Sequence, residues 1–146
     1  MESFHFRLDR VLAWYRNLVS LEEARLAKCY AKLRSVQEAI ALLKAERLAA
    51  QHAVIRSATV SPQDLAALSA FRLHAILREA GLESERQNRE RAMEEQRAIL
   101  IAIQRRTKLL EKLRERRAAE HHYLEERELE AVAADAHVAK WLQSPR

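Results

Sequence analysis

The chain has 146 residues, of which one is glycine, two are proline and 32% are charged. Average usage would give roughly ten glycines and seven prolines at this length, so turns are scarce and the composition argues against a sheet. The net charge of +5 comes from 26 basic residues interspersed with 21 acidic ones, and this mixing argues against a one-sided basic surface for nucleic acid.

The first predicted element is a helix from about residue 4 to about residue 56. Alternate steps of four and three residues from Leu8 to Val54 meet an apolar side chain at every position except Glu22 and Arg47. An apolar seam that repeats every 3.5 residues under-winds a helix into a left-handed coiled coil. The fourteen seam positions are Leu8, Leu12, Tyr15, Val19, Glu22, Leu26, Cys29, Leu33, Val36, Ile40, Leu43, Arg47, Ala50 and Val54.

Residues 57–61 are predicted to form a turn before a second helix. Ser61 is a favourable N-cap, Pro62 suits the first helical position because its missing N–H is not needed there, and Asp64 falls near the positive end of the helix dipole. A connection of about five residues folds the second helix back on the first, so residue i should face roughly residue 119 minus i. This register sets residues 4–12 against about residues 107–115.

The second helix is predicted from about residue 62 to about residue 142. Its apolar residues thin out between Glu83 and Arg97, where nine of fifteen residues are glutamate or arginine, so pairing should be loose there. The apolar residues before this stretch are Leu65, Leu68, Phe71, Leu73, Ile76 and Leu77, and those after it are Ile99, Leu100, Ile103, Leu109, Leu110 and Leu113.

The second helix should overhang the first after about Ala118. This overhang carries an apolar stripe with no partner in the predicted hairpin. Such a stripe fits a partner helix, a groove in another protein, or a tail that is disordered in the isolated chain. Its members are Tyr123, Leu124, Leu129, Val132, Val138 and Leu142.

The predicted fold class is all-α, with two long helices forming a single antiparallel coiled-coil hairpin whose second helix is longer and overhanging. Two paired helices offer little concavity, so no catalytic residue and no cofactor is expected. One glycine cannot build a phosphate-binding loop. His121 with Glu125 and His122 with Glu126 have the spacing of two-ligand metal pairs, but two ligands do not make a site and no metal is assigned. The chain is expected to bind other proteins and not to be an enzyme.

A cytoplasmic location is expected from the cysteine content and the absence of a leader pattern. The single Cys29 cannot form an internal disulfide, and buried in the seam it would act as a small hydrophobic side chain. Charged residues including Glu2, Arg7 and Asp9 occupy the region where a signal peptide needs apolar ones. The longest apolar run, residues 98–103, is far shorter than the roughly 20 residues that span a bilayer. Any membrane attachment is therefore expected to go through a partner.

Three segments of the sequence resemble a known family. Residues 4–12 read Phe-His-Phe-Arg-Leu-Asp-Arg-Val-Leu, and residues 108–117 read Lys-Leu-Leu-Glu-Lys-Leu-Arg-Glu-Arg-Arg, followed by Tyr123, Glu126, Arg127 and Glu130. Residues 61–65 read Ser-Pro-Gln-Asp-Leu, with Phe71 downstream. These segments resemble the opening, the second half and the helix start of the FliJ family of flagellar export proteins.

The resemblance implies a non-enzymatic component of the type III protein export apparatus that assembles the bacterial flagellum. Members are two-helix coiled coils resembling the central stalk of rotary ATPases. They bind the hexameric flagellar export ATPase, the cytoplasmic domain of the export gate protein and export chaperones, and so lie peripherally at the inner face of the cell membrane. The candidate residues for the ATPase ring are Phe4, Phe6, Arg7, Lys112, Arg116, Tyr123 and Arg127, and the candidate for the export gate is Phe71.

Three alternatives stay open. The nearest is the equivalent stalk protein of a virulence type III secretion system, which would have the same architecture and different partners. A basic coiled coil that binds nucleic acid would show a steep salt dependence, with about 0.9 added to the log–log slope for each neutralised phosphate. A scaffolding coiled coil, including a homodimer through the stripe beyond Ala118, is the third.

Overall fold

A computed structural model describes residues 3–143 of the chain. These residues form two α-helices, α1 (Asp9–Arg56) of 48 residues and α2 (Pro62–Gln143) of 82 residues, joined by residues 57–61. No strand occurs within the described range. Among the same residues, no helix is both long enough and apolar enough to cross a membrane.

The chain divides into two compact units, and each contains part of both helices. The turn unit comprises Ser20–Ile101, and the terminal unit comprises the chain up to Val19 together with the chain from Ala102 onward.

The two helices run antiparallel within each unit. In the terminal unit an Asp9 carboxylate oxygen lies 3.2 Å from Arg114 Nε. Further along α1, the Arg16 guanidinium contacts Glu111 at 3.1 Å, earlier along α2. In the turn unit Glu22 meets Gln96 and Arg47 meets Glu79, with the same opposed order. The predicted fold class, an all-α antiparallel hairpin of two long helices, is confirmed.

The apolar seam of α1 lies against α2 as its spacing predicts. Each of its fourteen positions is buried or half-buried, and they include the core residues Leu12, Leu33, Val36, Ile40 and Leu43. A buried polar group needs a hydrogen-bond partner, and both polar residues of the seam have one. Glu22, only 4% exposed, accepts hydrogen bonds from Arg25 and Gln96. Arg47 donates to Glu79 at 3.0 Å.

The matching seam of α2 does not coincide with its most apolar residues. Near the helix start, Leu68 and Phe71 are half-buried and Ala75 is fully buried. These residues follow the three-and-four spacing of a helix face. The other apolar residues of that region project from different faces and are exposed, as are three predicted further along; they are Leu65, Leu73, Ile76, Leu77, Ile99, Leu109 and Leu113.

The charge-rich middle of α2 is held by contacts along the helix itself. Arg86 donates to both Glu83 and Glu90, one turn before and one turn after it. The nearby guanidinium lowers the pKa of the Glu83 carboxyl, and the hydrogen bond to Glu83 raises the pKa of Arg86. Gly81, just before this stretch, has no heavy atom within 4 Å of the position that a Cβ would take. It therefore marks neither a close helix crossing nor a contact in this structure.

Helix α1 begins later than predicted, at Asp9 instead of about residue 4. The Asp9 N–H donates to the Phe6 carbonyl at 3.0 Å, which closes a turn just before the helix. Residues 3–6 are non-helical, and Phe4 and Phe6 are more buried than His5 and Arg7. This alternation is typical of extended chain, in which successive side chains point in opposite directions. The non-helical start therefore turns both aromatic rings to one side.

The start of α2 is capped by two reciprocal hydrogen bonds. The Asp64 N–H donates to the Ser61 hydroxyl oxygen, and the Ser61 N–H donates to an Asp64 carboxylate oxygen, both at 3.1 Å. This arrangement is a capping box with aspartate in place of the usual glutamate. The two hydrogen bonds from Ser61 lower the pKa of the Asp64 carboxyl. The predicted cap and helix start at Pro62 are confirmed.

The predicted register holds at Glu22 and is wrong at the other cross-helix pairs, including Arg47, which meets Glu79 where a residue near 72 was expected. Glu22 meets Gln96, within one residue of its expected position. In the terminal unit, however, Asp9 meets Arg114 and Phe4 meets His121, where residues near 110 and 115 were expected. Extended chain advances about 3.3 Å per residue and a helix about 1.5 Å, so the non-helical start carries Phe4 further along α2. Long charged side chains add reach in the same direction.

Candidate partner-binding site

An open groove of about 850 Å³ lies in the terminal unit, between the non-helical start of the chain and α2. Phe6 is 5% exposed and belongs to the core. Phe4 is half-buried and meets His121 edge-on, with ring centroids 5.6 Å apart. The groove is lined on one side by residues 3–8 and on the other by Leu113, Arg117, Glu120, His121 and Leu124.

Only three of the seven residues predicted to bind the ATPase ring line this groove, namely Phe4, Phe6 and Arg7. Lys112 and Arg116 are exposed on α2 and are not among the lining residues. Tyr123 is 60% exposed, and the Arg127 guanidinium lies 6.0 Å from its ring centroid. This distance allows a weak cation–π contact on a surface open to a partner. The burial of Phe6 indicates that it holds the groove together.

Sequence reasoning missed the α2 side of the groove. Glu120, His121 and Leu124 line it beyond the residues near 115 that the predicted register set against Phe4. The signal that could have found them is the alternation of Phe4 and Phe6 with His5 and Arg7, which is an extended pattern and lengthens the reach of the chain start.

The overhang of α2 begins later than predicted. Ala118, His121 and Glu125 are still half-buried, and every described residue from Glu126 to Gln143 is exposed. The boundary therefore lies near Glu125 instead of Ala118, because the non-helical chain start covers α2 up to Leu124. Large apolar side chains remain uncovered beyond it, namely Leu129, Val132, Val138, Trp141 and Leu142.

Charge is divided between two neighbouring segments of α2 in the terminal unit. The basic segment, residues 105–117, has seven basic and two acidic residues and a net charge of +5. The acidic segment, residues 120–135, has six acidic residues and one arginine and a net charge of −5 with histidine neutral. The overall mixing of signs along the chain therefore hides a strong local polarity at this end.

A second groove, of about 460 Å³, lies in the turn unit beside the connection between the helices. Its walls include Val54, Val60, Asp64 and the half-buried Phe71, which is the residue predicted to contact the export gate. Val60 is partly exposed at its edge. The groove is mostly apolar, so it suits an apolar side chain of a partner and not a charged ligand.

The two histidine–glutamate pairs of the overhang region form as their spacing predicts. His121 Nδ1 lies 3.4 Å from Glu125, and His122 Nδ1 lies 3.3 Å from Glu126. Within residues 3–143, no cluster of three or more histidine, cysteine, aspartate or glutamate side chains is placed to hold a metal ion. The expectation that no metal is bound stays a prediction.

Comparison of the chain with protein-family models, with curated proteins and with solved structures gives no match.

Proposed function

We propose that the chain is a non-enzymatic stalk component of the flagellar type III export apparatus, which binds the hexameric export ATPase through the terminal unit. The observation that carries this proposal is the meeting of the two segments that resemble the FliJ family. Residues 4–12 and 108–117 contact each other in the terminal unit through the Asp9–Arg114 ion pair, and both contribute walls of the groove.

The exposed end of α2 has dimensions that suit insertion into a ring. Residues 126–143 are the last 18 residues of α2, and they correspond to about 27 Å of helix. A single helix is only about 10–12 Å wide, so it fits a central opening that a helix pair does not fit. Its uncovered apolar side chains would then pack on the inner surface of the ring.

The exposed side chains beside the groove have complementary roles in this proposal. Lys112 and Arg116 would pair with carboxylates of the ring, and Tyr123 with Arg127 would supply an aromatic surface beside a cation. Phe4 and Phe6 would hold the start of the chain in place. The turn-unit groove beside Phe71 is the proposed contact for the cytoplasmic domain of the export gate. In this function the chain would be cytoplasmic and would reach the membrane only through its partners, including export chaperones.

The test is stimulation of the export ATPase by the full chain and by a variant ending at Glu126. The truncation removes the exposed part of α2 and leaves the residues around the groove in place, so stimulation should fall to the level of the ATPase alone. The matched substitution pair is Arg116→Ala, which should weaken stimulation, and Arg72→Ala, an exposed arginine of the turn unit that should not. Full stimulation by the truncated chain would contradict the proposal. Binding to a virulence-system ATPase instead would assign the chain to that alternative.

A nucleic-acid-binding role is the second candidate, favoured by the +5 charge of the basic segment. It predicts that binding to duplex DNA falls steeply with salt, and that replacing basic residues of residues 105–117 lowers the slope by about one for each lost phosphate contact. The adjoining acidic segment opposes this role because it would repel the same phosphates.

A further inference from the structure

A second apolar stripe, called the outer stripe, runs along α2 in the terminal unit, and it shares only Leu124 and Val138 with the stripe predicted for the overhang. Leu109, Leu113 and Leu124 are spaced so that they share one helix face, and that face continues to Ala131 and Val138. Leu109 is 68% exposed, and Leu124 and Val138 are more than half exposed. The α1 seam packs on another face of α2, and at Leu113 and Leu124 this outer stripe borders the open groove beside residues 3–8, where both side chains stay partly exposed.

The stripe crosses both charged segments. Its first part, at Leu109 and Leu113, lies in the basic segment, and its later part, at Leu124 and Ala131, lies in the acidic segment. A surface with opposite charges at its two ends is complementary to itself when a second copy approaches in the reverse direction. A copy in the same direction would set +5 against +5 and −5 against −5, which is repulsive.

We propose that two copies of this chain associate as an antiparallel pair of α2 helices along this stripe, with the basic segment of each copy beside the acidic segment of the other. The charges favour the register in which the two-fold axis of the dimer passes level with Ala118. This register brings Arg116 level with Glu120, Lys108 level with Glu128 and Arg106 level with Glu130, so that the basic segment of each copy runs beside the acidic segment of the other.

The residues of this register are available for such pairing. All six side chains are exposed. Glu120 contacts Arg117 of its own helix at 2.9 Å, an exposed ion pair of little stability that does not prevent a second contact. The small side chains of Ala131 and Ala134 allow close approach of the two backbones at the ends of the pair. The inference is independent of the export role, although the dimer would cover Arg116 and Arg127.

The test measures the mass of the full chain by sedimentation velocity from low micromolar to near-millimolar concentration. One variant reverses the basic partners, Arg106→Glu with Arg116→Glu, and another reverses the acidic partners, Glu120→Arg with Glu130→Arg. Each variant alone should remain monomeric where the unmodified chain is dimeric, with a dissociation constant raised at least about tenfold. An equimolar mixture should form a dimer again, because every cross-pair is then between opposite charges.

The matched control is Arg72→Glu with Arg78→Glu, which reverses two exposed arginines of α2 in the turn unit and should leave the dimer unchanged. Circular dichroism of each variant checks that helix content is retained, and recovery of the dimer in the mixture excludes misfolding as the cause of dissociation. The proposal is overturned if the unmodified chain is monomeric throughout, if either reversal leaves the dimer intact, or if the mixture stays monomeric.

Discussion

Glu22 is a charged residue in the middle of an apolar seam, and its partners explain how the seam tolerates it. Its side chain is buried and accepts hydrogen bonds from Gln96 of α2 and from Arg25 one turn along α1. A buried carboxylate without donors costs more than the hydrogen bonds themselves contribute, because it has lost its water. Glu22 and Gln96 therefore form a polar pair between the two helices, although they are 74 residues apart in the sequence.

We expect Gln96→Leu to destabilise the chain by about 1–3 kcal/mol, because the buried Glu22 carboxylate loses its donor from α2. Glu22→Leu combined with Gln96→Leu should recover most of this loss, since replacing both partners with apolar residues restores a continuous seam. Urea unfolding followed by circular dichroism measures both variants. If the single variant is as stable as the unmodified chain, the Gln96 hydrogen bond does not support the seam.

The Asp64 carboxyl makes the stability of the fold depend on pH through the cap at the start of α2. Hydrogen bonds from Ser61 lower its pKa below the ordinary value of 3.8 in the folded chain. A depressed carboxyl pKa stabilises the fold above the unfolded pKa, and this contribution is lost as the pH falls through the folded value. The stability difference between the unmodified chain and Asp64→Ala should therefore be positive at pH 7 and shrink towards zero in acid below the ordinary pKa. Thermal unfolding across this range checks the sign, and a difference that grows in acid would refute it.

At the scale of the elements, α2 shows that apolar character and burial are separate properties. Leu73 and Leu100 are both leucines of α2 in the turn unit, but their side chains are 61% and 7% exposed. The difference follows from the helix face on which each lies, because α1 covers only one face of α2. A long helix with one partner therefore leaves many apolar residues on its surface.

The two leucines should respond very differently to truncation. Leu100→Ala removes buried methyl groups and leaves a cavity, so it should cost about 2–5 kcal/mol. Leu73→Ala removes an exposed side chain and should change the free energy of unfolding by no more than about 0.5 kcal/mol. Chemical unfolding of the two variants side by side measures both changes. Similar losses of stability at the two sites would show that the face of α2 bearing Leu100 is not the one that α1 covers.

At the scale of the whole molecule, every described residue beyond Glu125 is exposed to solvent. A variant ending at Glu126 should therefore unfold with a free energy within about 0.5 kcal/mol of the full chain when both are monomeric, as is usual for changes at exposed positions. A dilute sample followed by circular dichroism measures this. A large loss of stability would show that the exposed part of α2 supports the units directly and is not reserved for a partner.

The motifs that resemble a flagellar export family, the groove around Phe4 and Phe6, and the uncovered end of α2 all belong to the terminal unit. The self-complementary charge of α2 lies there as well. If both proposals hold, dimerisation and ring binding compete, because Arg116 and Arg127 take part in both surfaces.

Local sequence determined the helices, their ends at the turn and the α1 seam. A near-absence of glycine and proline, a regular 3.5-residue repeat and the Ser61-Pro62 helix start are properties of neighbouring residues, so they can be read without knowing the partner of any residue. The same reasoning found exposed candidate residues such as Tyr123 and Arg127.

Tertiary structure decided which face of α2 is covered, which residues partner Glu22 and Arg47, and where the overhang begins. These features depend on the register between segments that are far apart in the sequence. At the chain start, the reach along α2 also depends on whether a few residues are extended or helical, because an extended residue advances about twice as far. The non-helical start brings Phe4 to His121 and forms one wall of the groove that Leu113 and Leu124 line on the other side.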